Sequence, residues 1–279
     1  MYTSSVADAA QTVKLDPPPK LTASNPHVIL TIRMHVSRVL TNLLYPPACL
    51  LCHGPLPARA PHEGSALEIV CEACQDAMPR SGPPVCVRCG MTLPGAFDAA
   101  LCCAFCRSTP PIFEMARAPW QYAGSAQRAI HQFKYDRRWR LGRWLSADMA
   151  ASARASLPLA RITAVVPVPL HWLKHRMRGF NPAEALAVSV ADQLNKPCLP
   201  RALRRTRWTP SQTRLHGRKR LQNVRGAFTA DPRMVRGEGM LLIDDVHTSG
   251  ATVNACAGAL NAAGARHVFV LTAARTPIL

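Results

Sequence analysis

The chain has 279 residues, which is enough for one substantial hydrophobic core and one smaller module. Hydrophobic residues account for 48% of it, as in an ordinary globular protein. The charge is unusual, because 34 Lys and Arg against 16 Asp and Glu leave a net charge of +18. This excess predicts polyanionic partners, either nucleic acids or anionic substrates, although a surface that simply favours arginine would give the same balance.

The N-terminal 44 residues form a lead-in to the rest of the chain. Residues 1–27 mix Ser, Thr, Ala and Pro without an apolar period, which predicts a disordered tail. Apolar residues recur at helical spacing over residues 28–44, which predicts a short amphipathic helix. This helix is also the best candidate for a membrane span, but Arg33, His35 and Arg38 interrupt it, so we expect neither a span nor a signal peptide.

Cysteines dominate the next segment. Eight of the eleven form four Cys-x-x-Cys pairs, and this grouping favours bound metal over disulfides and hence a reducing, cytoplasmic location. Zinc prefers four tetrahedral ligands, so the four pairs would complete two structural sites and leave no open position for catalysis. The predicted ligands are Cys49, Cys52, Cys71, Cys74, Cys86, Cys89, Cys103 and Cys106.

The spacing predicts a double zinc ribbon over residues 45–110. Sequential pairing, in which the first Cys-x-x-Cys joins the second and the third joins the fourth, is the preferred arrangement. Interleaved, cross-braced pairing is the alternative. Cys102 stands next to Cys103, so the sequence leaves open which of these two cysteines is a ligand.

Predicted strands and helices alternate from residue 111 to residue 279. Such alternation predicts an α/β domain with a parallel sheet flanked by helices. The predicted elements are an extended segment at 112–122, helices at 125–135 and 139–153, a strand at 162–167, a helix at 182–194, a strand ending near 243 with a helix at 251–263, and a last strand at 266–272.

The stretch 239–252 carries the most specific chemistry. An apolar run delivers Asp244 and Asp245, and a turn of small and hydroxyl residues then opens a helix. Backbone N–H groups at such a turn bind phosphate, and two carboxylates suit vicinal hydroxyls, so ribose 5-phosphate fits. No lysine follows the glycine, which argues against a Walker A loop. The alternative is a capped helix after a buried strand, for which one carboxylate would suffice.

Residues 242–252 resemble the phosphoribosyl pyrophosphate (PRPP) motif of type I phosphoribosyltransferases, in which two acidic residues precede Thr-Thr/Ser-Gly-x-Thr. Residues 44–276 as a whole resemble the ComF/GntX-like proteins, which are related to amidophosphoribosyltransferases. The matching segments follow in order: the Pro-Pro-x-Cys-x-x-Cys entry at 46–52, the later cysteine pairs, 130–135, 166–169, 178–181, Ser211 and Gln212, Arg220, Asn223, 226–228, and the PRPP motif.

The resemblance implies a type I phosphoribosyltransferase-like fold and a site for PRPP with Mg²⁺. Cations of two basic loops, 170–181 and 201–228, would then face the leaving pyrophosphate. The implied catalytic residues are Arg178, with Arg176 or Arg220. The implied PRPP-binding residues are Asp244, Asp245, Thr248, Ser249, Gly250, Ala251 and Thr252.

The resemblance also links the chain to natural competence and DNA uptake. It implies transfer of ribose 5-phosphate to an unknown acceptor, for which no residue stands out as a general base. The alternative is a non-catalytic, PRPP-regulated protein that binds single-stranded DNA or competence partners. Three positions depart from the family pattern: Pro182 replaces the usual glutamine, Lys219 an acidic residue and His247 an apolar one.

Overall fold

The computed structural model describes residues 46–56, 69–95, 101–136, 138–170, 176–207 and 226–277. The predicted tail, the lead-in helix, Arg220 and most of the second basic loop lie outside these ranges. Residues Pro47–Leu279 form one compact unit. No helix in the described part of the chain is long and apolar enough to cross a membrane.

A parallel sheet forms the centre of the fold, as predicted. The strands are β1 (Met115–Arg117), β2 (Trp120–Gln121), β3 (Ala164–Pro167), β4 (Leu203–Arg205), β5 (Phe228–Ala230), β6 (Gly239–His247) and β7 (His267–Arg275). The strand order of the sheet is β3-β6-β7-β1, with the short β2 also pairing with β7, and every pairing in it is parallel. Strands β4 and β5 form a separate antiparallel pair.

Helices cover both faces of the sheet because side chains alternate along its buried strands. On β6, Leu241 and Ile243 belong to the core that includes α3, α4 and most of α5, whereas Met240 and Leu242 belong to the core that includes α7. The helices are α1 (Glu72–Asp76), α2 (Ala104–Ser108), α3 (Gly124–Tyr135), α4 (Trp139–Ser156), α5 (Pro182–Gln193), α6 (Pro232–Val235) and α7 (Ala251–Ala262).

Strand β6 is longer than its apolar run. The sequence predicts an end near Ile243, but the strand continues through both carboxylates to His247. Pairing with β7 sustains it, because Asp244 lies opposite Thr272 and His247 opposite Arg275. Successive strand residues face opposite sides, so Asp245 shares the face of α3, and Asp244 shares the face of α7.

The cysteine-rich segment packs against the β1–β2 edge of the sheet. Ala116 N–H donates to the Arg88 carbonyl at 2.7 Å, and Ser81 N–H donates to the Pro119 carbonyl at 2.9 Å. Gly90 has φ +67°, and a Cβ there would lie 2.4 Å from the Ala116 oxygen. The ribbon backbone therefore approaches the sheet closely where only glycine fits.

Candidate functional site

The acidic pair near the end of β6 has a cation beside it. Lys134, in the last turn of α3, places its Nζ 2.6 Å from Asp245 Oδ1, and both side chains are largely buried. Sequence reasoning gave Lys134 no role of its own. One signal was available: Lys134 follows the buried Ile130 by four residues and therefore borders the apolar face of α3.

The charges at the acidic pair are interdependent. Burial raises the pKa of Asp244 to about 7, and the neighbouring Asp245 carboxylate adds to this effect. Burial alone would lower the pKa of Lys134, but the carboxylates of Asp245 and Asp244 raise it above its ordinary value. The ammonium group therefore stays charged, and the charge of Asp244 changes near neutral pH.

The turn after β6 presents backbone N–H groups at the start of α7. Gly250 adopts a left-handed conformation with φ +76°, and α7 starts at the next residue. Ser249 Oγ accepts from Ala251 N–H at 3.5 Å, and Thr252 lies in the first helical turn. The backbone N–H groups of Thr248, Ser249 and Gly250 donate to no acceptor within the described residues. These groups and the helix N-terminus are suited to a phosphate.

Arg275 fixes the turn from the β7 side. Its buried guanidinium donates from Nη1 to the carbonyls of His247 at 2.8 Å and Thr276 at 3.3 Å, and also to the carbonyl of Thr248. Nη2 donates to Met91 Sδ at 4.0 Å, so the same side chain reaches the second cysteine cluster. Sequence reasoning missed Arg275, since its partners are backbone carbonyls that no motif records.

His247 supports the turn from beneath. Burial, together with the charge of Arg275, lowers the pKa of His247, so the imidazole is neutral. Its ring meets Phe113 edge to face at 5.8 Å, and a Cβ on Gly250 would lie 2.7 Å from His247 Nε2. A flat neutral ring thus fills the position at which the family usually has an apolar side chain, and Gly250 is the residue that fits above it.

The described end of the first basic loop is held by contacts with α3 and with the residue that follows β3. The Arg178 guanidinium lies 4.7 Å from the ring centroid of Tyr135, the residue that follows Lys134. Asn181 caps α5 by accepting from Ala183 N–H at 3.2 Å, and its amide donates to the Val168 carbonyl at 3.1 Å.

Three further residues that the sequence singles out lie in or next to the basic loops. Pro182 occupies the first turn of α5, where the ring is compatible with the helix, so this departure from the family pattern does not disturb the start of α5. Arg176 is exposed at the start of the described part of the first loop. Arg220 lies outside the described residues.

The cysteines form two clusters. In each, the four sulfur atoms lie within 4.8 Å of one another. The grouping follows sequential pairing, and Cys103 rather than Cys102 joins the second cluster. The first cluster contains Cys49, Cys52, Cys71 and Cys74, and the second contains Cys86, Cys89, Cys103 and Cys106.

Backbone N–H donors favour the thiolate form of one cysteine in each cluster, although burial raises the pKa of other members. Burial would raise the pKa of Cys49, but N–H donors from Cys71, Cys52 and Leu51 lower it to about 6. Cys86 has the same pKa for the same reason, with Cys103 among its donors. Four thiolate ligands fit structural zinc and leave no coordination position for a substrate.

We expect Cys106→Ser to reduce the zinc content of the purified protein from two ions per chain to one, because it removes a ligand of the second cluster. The matched control is Cys102→Ser, which should keep both ions. Zinc is measured by inductively coupled plasma mass spectrometry. Loss of an ion in the Cys102 variant, or retention of both in the Cys106 variant, would contradict this ligand set.

The raised pKa of Asp244 makes stability depend on pH. Its pKa is about 7 in the folded chain against an ordinary 3.8, so between these values the folded state holds the extra proton. The resulting stabilisation is complete below the lower value and is lost as pH rises through the upper one. Asp244→Asn mimics the protonated carboxyl, so it should unfold at a higher temperature than the wild type at about pH 8, by a margin that shrinks as the pH falls toward about 5.

Thermal unfolding of both proteins across this pH range checks the expectation. Asp192→Asn, at an exposed position on α5, is the control and should follow the wild type. Parallel pH profiles for the wild type and Asp244→Asn would show that Asp244 titrates in its ordinary range.

Comparison with known proteins covers both parts of the chain. Residues 40–109 match a family model described as a double zinc ribbon domain. The DNA utilization protein YhgH of Escherichia coli K12 is 32% identical over 237 residues, which cover 84% of this chain and 99% of that protein. Competence protein F of Haemophilus influenzae is 26% identical over 232 residues, or 81% of this chain and 96% of the relative.

Two solved structures are similar at low levels. One, described as the allosteric regulatory enzyme of purine biosynthesis, has a TM-score of 0.33 at 22% identity, over 47% of this chain and 25% of its own. A glutamine PRPP amidotransferase from B. subtilis has a TM-score of 0.32 at 22% identity, over 46% and 25%. These TM-scores are too low to establish a common fold. The sequence relatives are sufficient: the chain belongs to the family of the DNA utilization protein YhgH and competence protein F, as its resemblance to ComF/GntX-like proteins predicted.

Proposed function

We propose that this protein binds PRPP across the end of β6 and transfers its ribose 5-phosphate to an acceptor nucleophile. One observation carries the proposal: two carboxylates on β6 are followed at once by a turn whose N–H groups at Thr248, Ser249 and Gly250 have no acceptor among the described residues. The dipole of α7 adds to the positive potential at this turn. Such a pair of features is complementary to a sugar with vicinal hydroxyls and one phosphate.

Each part of the ligand would have its own partners. The 5′-phosphate would accept hydrogen bonds from residues 248–252, while Asp244 and Asp245 would accept from the ribose hydroxyls. Arg178, with Arg176 and Arg220, would face the pyrophosphate and offset the charge that develops as it leaves. Mg²⁺ bound with PRPP would neutralise part of the same charge. Catalysis would then depend on positioning and electrostatics.

The names of the relatives suggest the setting of this activity. Proteins of DNA utilization and competence are its relatives, and we therefore connect the proposed site with DNA uptake. The thiol clusters suit a reducing compartment, and we place the protein in the cytoplasm on that ground.

The proposal is tested with ligand binding and product release. Asp244→Asn combined with Asp245→Asn should weaken binding of ribose 5-phosphate by roughly 100-fold, since two hydrogen bonds to charged acceptors contribute about 3 kcal/mol together. The same variant should abolish pyrophosphate release from PRPP in the presence of nucleobases or amines. Isothermal titration calorimetry and a coupled pyrophosphate assay provide the two measurements.

Asp192→Asn is the matched control, because it removes a carboxylate at an exposed position on α5. It should leave both measurements unchanged. If PRPP binds to the wild type but is never turned over, the protein is a PRPP-responsive binding protein and the transfer step is wrong. If neither ribose 5-phosphate nor PRPP binds, the site itself is wrong.

A second candidate function is binding of single-stranded DNA. It is favoured by two exposed aromatic rings at the junction of α3 and α4, where Tyr135 is 60% and Trp139 is 67% exposed. Arg178 stacks on Tyr135, and the net charge of the chain is +18. Exposed rings among fixed cations are the features on which unstacked bases bind. In this alternative the PRPP site would regulate binding and would not catalyse transfer.

Tyr135→Ala combined with Trp139→Ala should weaken binding of a fluorescent oligothymidylate by roughly 10-fold or more, because a stacked base contributes about 1–3 kcal/mol. Fluorescence anisotropy measures the affinity, which should also fall steeply with salt concentration. Phe105→Ala removes an exposed ring of the ribbon segment and serves as the control. Affinity that is independent of salt, or equal in the two variants, would reject this candidate.

A further inference from the structure

The ion pair between Lys134 and Asp245 differs from the other carboxylate pairs in the described chain by its burial. Its side chains are 16% and 17% exposed. The pair between Arg80 and Asp148 is 61% and 34% exposed, and that between Arg161 and Glu114 is 45% and 37% exposed. Exposed pairs contribute little, whereas removal of one partner from a buried pair leaves an uncompensated charge. Lys134 is therefore bound to the site more strongly than a surface lysine would be.

Lys134 compensates for two adjacent carboxylates. Asp244 and Asp245 are consecutive on β6, and the residues that precede them on this strand are fully buried. Among the described residues, only Lys134 places a cation within ion-pair distance of one of these carboxylates. Asp244 Oδ1 accepts from Asp245 N–H at 2.9 Å, which turns that carboxylate toward the strand. A site of this charge would normally attract a divalent cation, since carboxylate oxygens are the ligands that magnesium prefers.

The ammonium group is held in place by a rigid helix. Ile130 and Phe133, which precede Lys134 by four residues and one residue, are buried in the core. Phe133 meets Phe180 of the first basic loop at 5.6 Å, and a Cβ on Gly142 would lie 2.6 Å from its ring. The backbone at Lys134 can move little without disturbing this packing. Lys134 is thus a preorganised part of the site.

We propose that Lys134 is a built-in cation that occupies the place of a divalent metal ion at the acidic pair. The inference rests on the proposed ribose 5-phosphate site. Its consequence is that the acidic pair recruits no metal of its own, and a ribose monophosphate binds without Mg²⁺. Mg²⁺ would then bind only together with a ligand that carries a pyrophosphate. The pyrophosphate oxygens would coordinate the ion, because Lys134 already occupies the carboxylates.

Manganese binding tests the inference without any sugar ligand. Titration of the zinc-loaded protein with Mn²⁺, followed by electron paramagnetic resonance, should detect no bound ion at the acidic pair of the wild type. Lys134→Met, which is close in length and uncharged, should gain one Mn²⁺ site, and adding Asp245→Asn should remove it again. Arg128→Met removes a cation from an exposed position of the same helix and should gain no site.

Two results would overturn the inference. One is an Mn²⁺ site in the wild type that disappears in Asp245→Asn, and the other is a Lys134→Met variant that gains none. Lys134→Gln, which retains a polar group, repeats the measurement if the methionine variant is poorly folded. Lys134→Arg keeps the positive charge and should resemble the wild type.

Calorimetry with ribose 5-phosphate then connects the inference to the proposed function. In buffer depleted of divalent ions, with the zinc content checked afterwards, the wild-type affinity should change by less than about twofold when Mg²⁺ is added. Lys134→Met should bind roughly 10-fold more weakly than the wild type without Mg²⁺ and recover when it is present. The control Arg128→Met should bind ribose 5-phosphate with the wild-type affinity both with and without Mg²⁺.

The two hypotheses fail in different ways. If the wild type binds ribose 5-phosphate only with Mg²⁺, the built-in cation is wrong and the proposed function stands. If ribose 5-phosphate does not bind under any condition, the proposed function is wrong, and the Mn²⁺ titration still decides whether Lys134 replaces a metal ion.

Discussion

The parallel ladder between β6 and β7 is the constraint on which the site depends. Its register runs from Gly239 opposite His267 to His247 opposite Arg275. This register carries the acidic pair beyond the apolar run and brings Arg275 next to the turn whose carbonyls it binds. A slip of one residue would exchange the faces of Asp244 and Asp245 and remove Arg275 from the turn.

The ladder also connects the ribbon segment to the turn after β6. Arg275 donates to backbone carbonyls at 247 and 248 from one nitrogen and to Met91 from the other. Met91 lies among the cysteines of the second cluster. Burial raises the pKa of Cys89 in this cluster, and the positive charge of Arg275 partly offsets that increase. The second cluster is therefore linked to the turn through Met91 and Arg275.

Much of this arrangement could be predicted from local patterns. The cysteine spacing predicted the sequential clusters, and the alternation of apolar and helical segments predicted the parallel sheet. The acidic pair with its hydroxyl turn predicted an anion site, which stays a prediction. Strand length was harder, because charged residues usually mark the end of an apolar strand. Here Asp244 and Asp245 remain in β6 because β7 supplies partners as far as Arg275, and that pairing depends on residues outside the segment.

The contacts that matter most at the site join residues far apart in the chain. Lys134 shares α3 with the exposed Arg128, and only the packing of α3 on the sheet distinguishes the two cations. A charge enclosed with two carboxylates cannot be added or removed independently of them, because burial makes each unpaired charge costly. The chemistry of this site is consequently a property of three residues: Asp244 responds to pH, Asp245 holds Lys134, and Lys134 sets how much positive charge a ligand must bring with it.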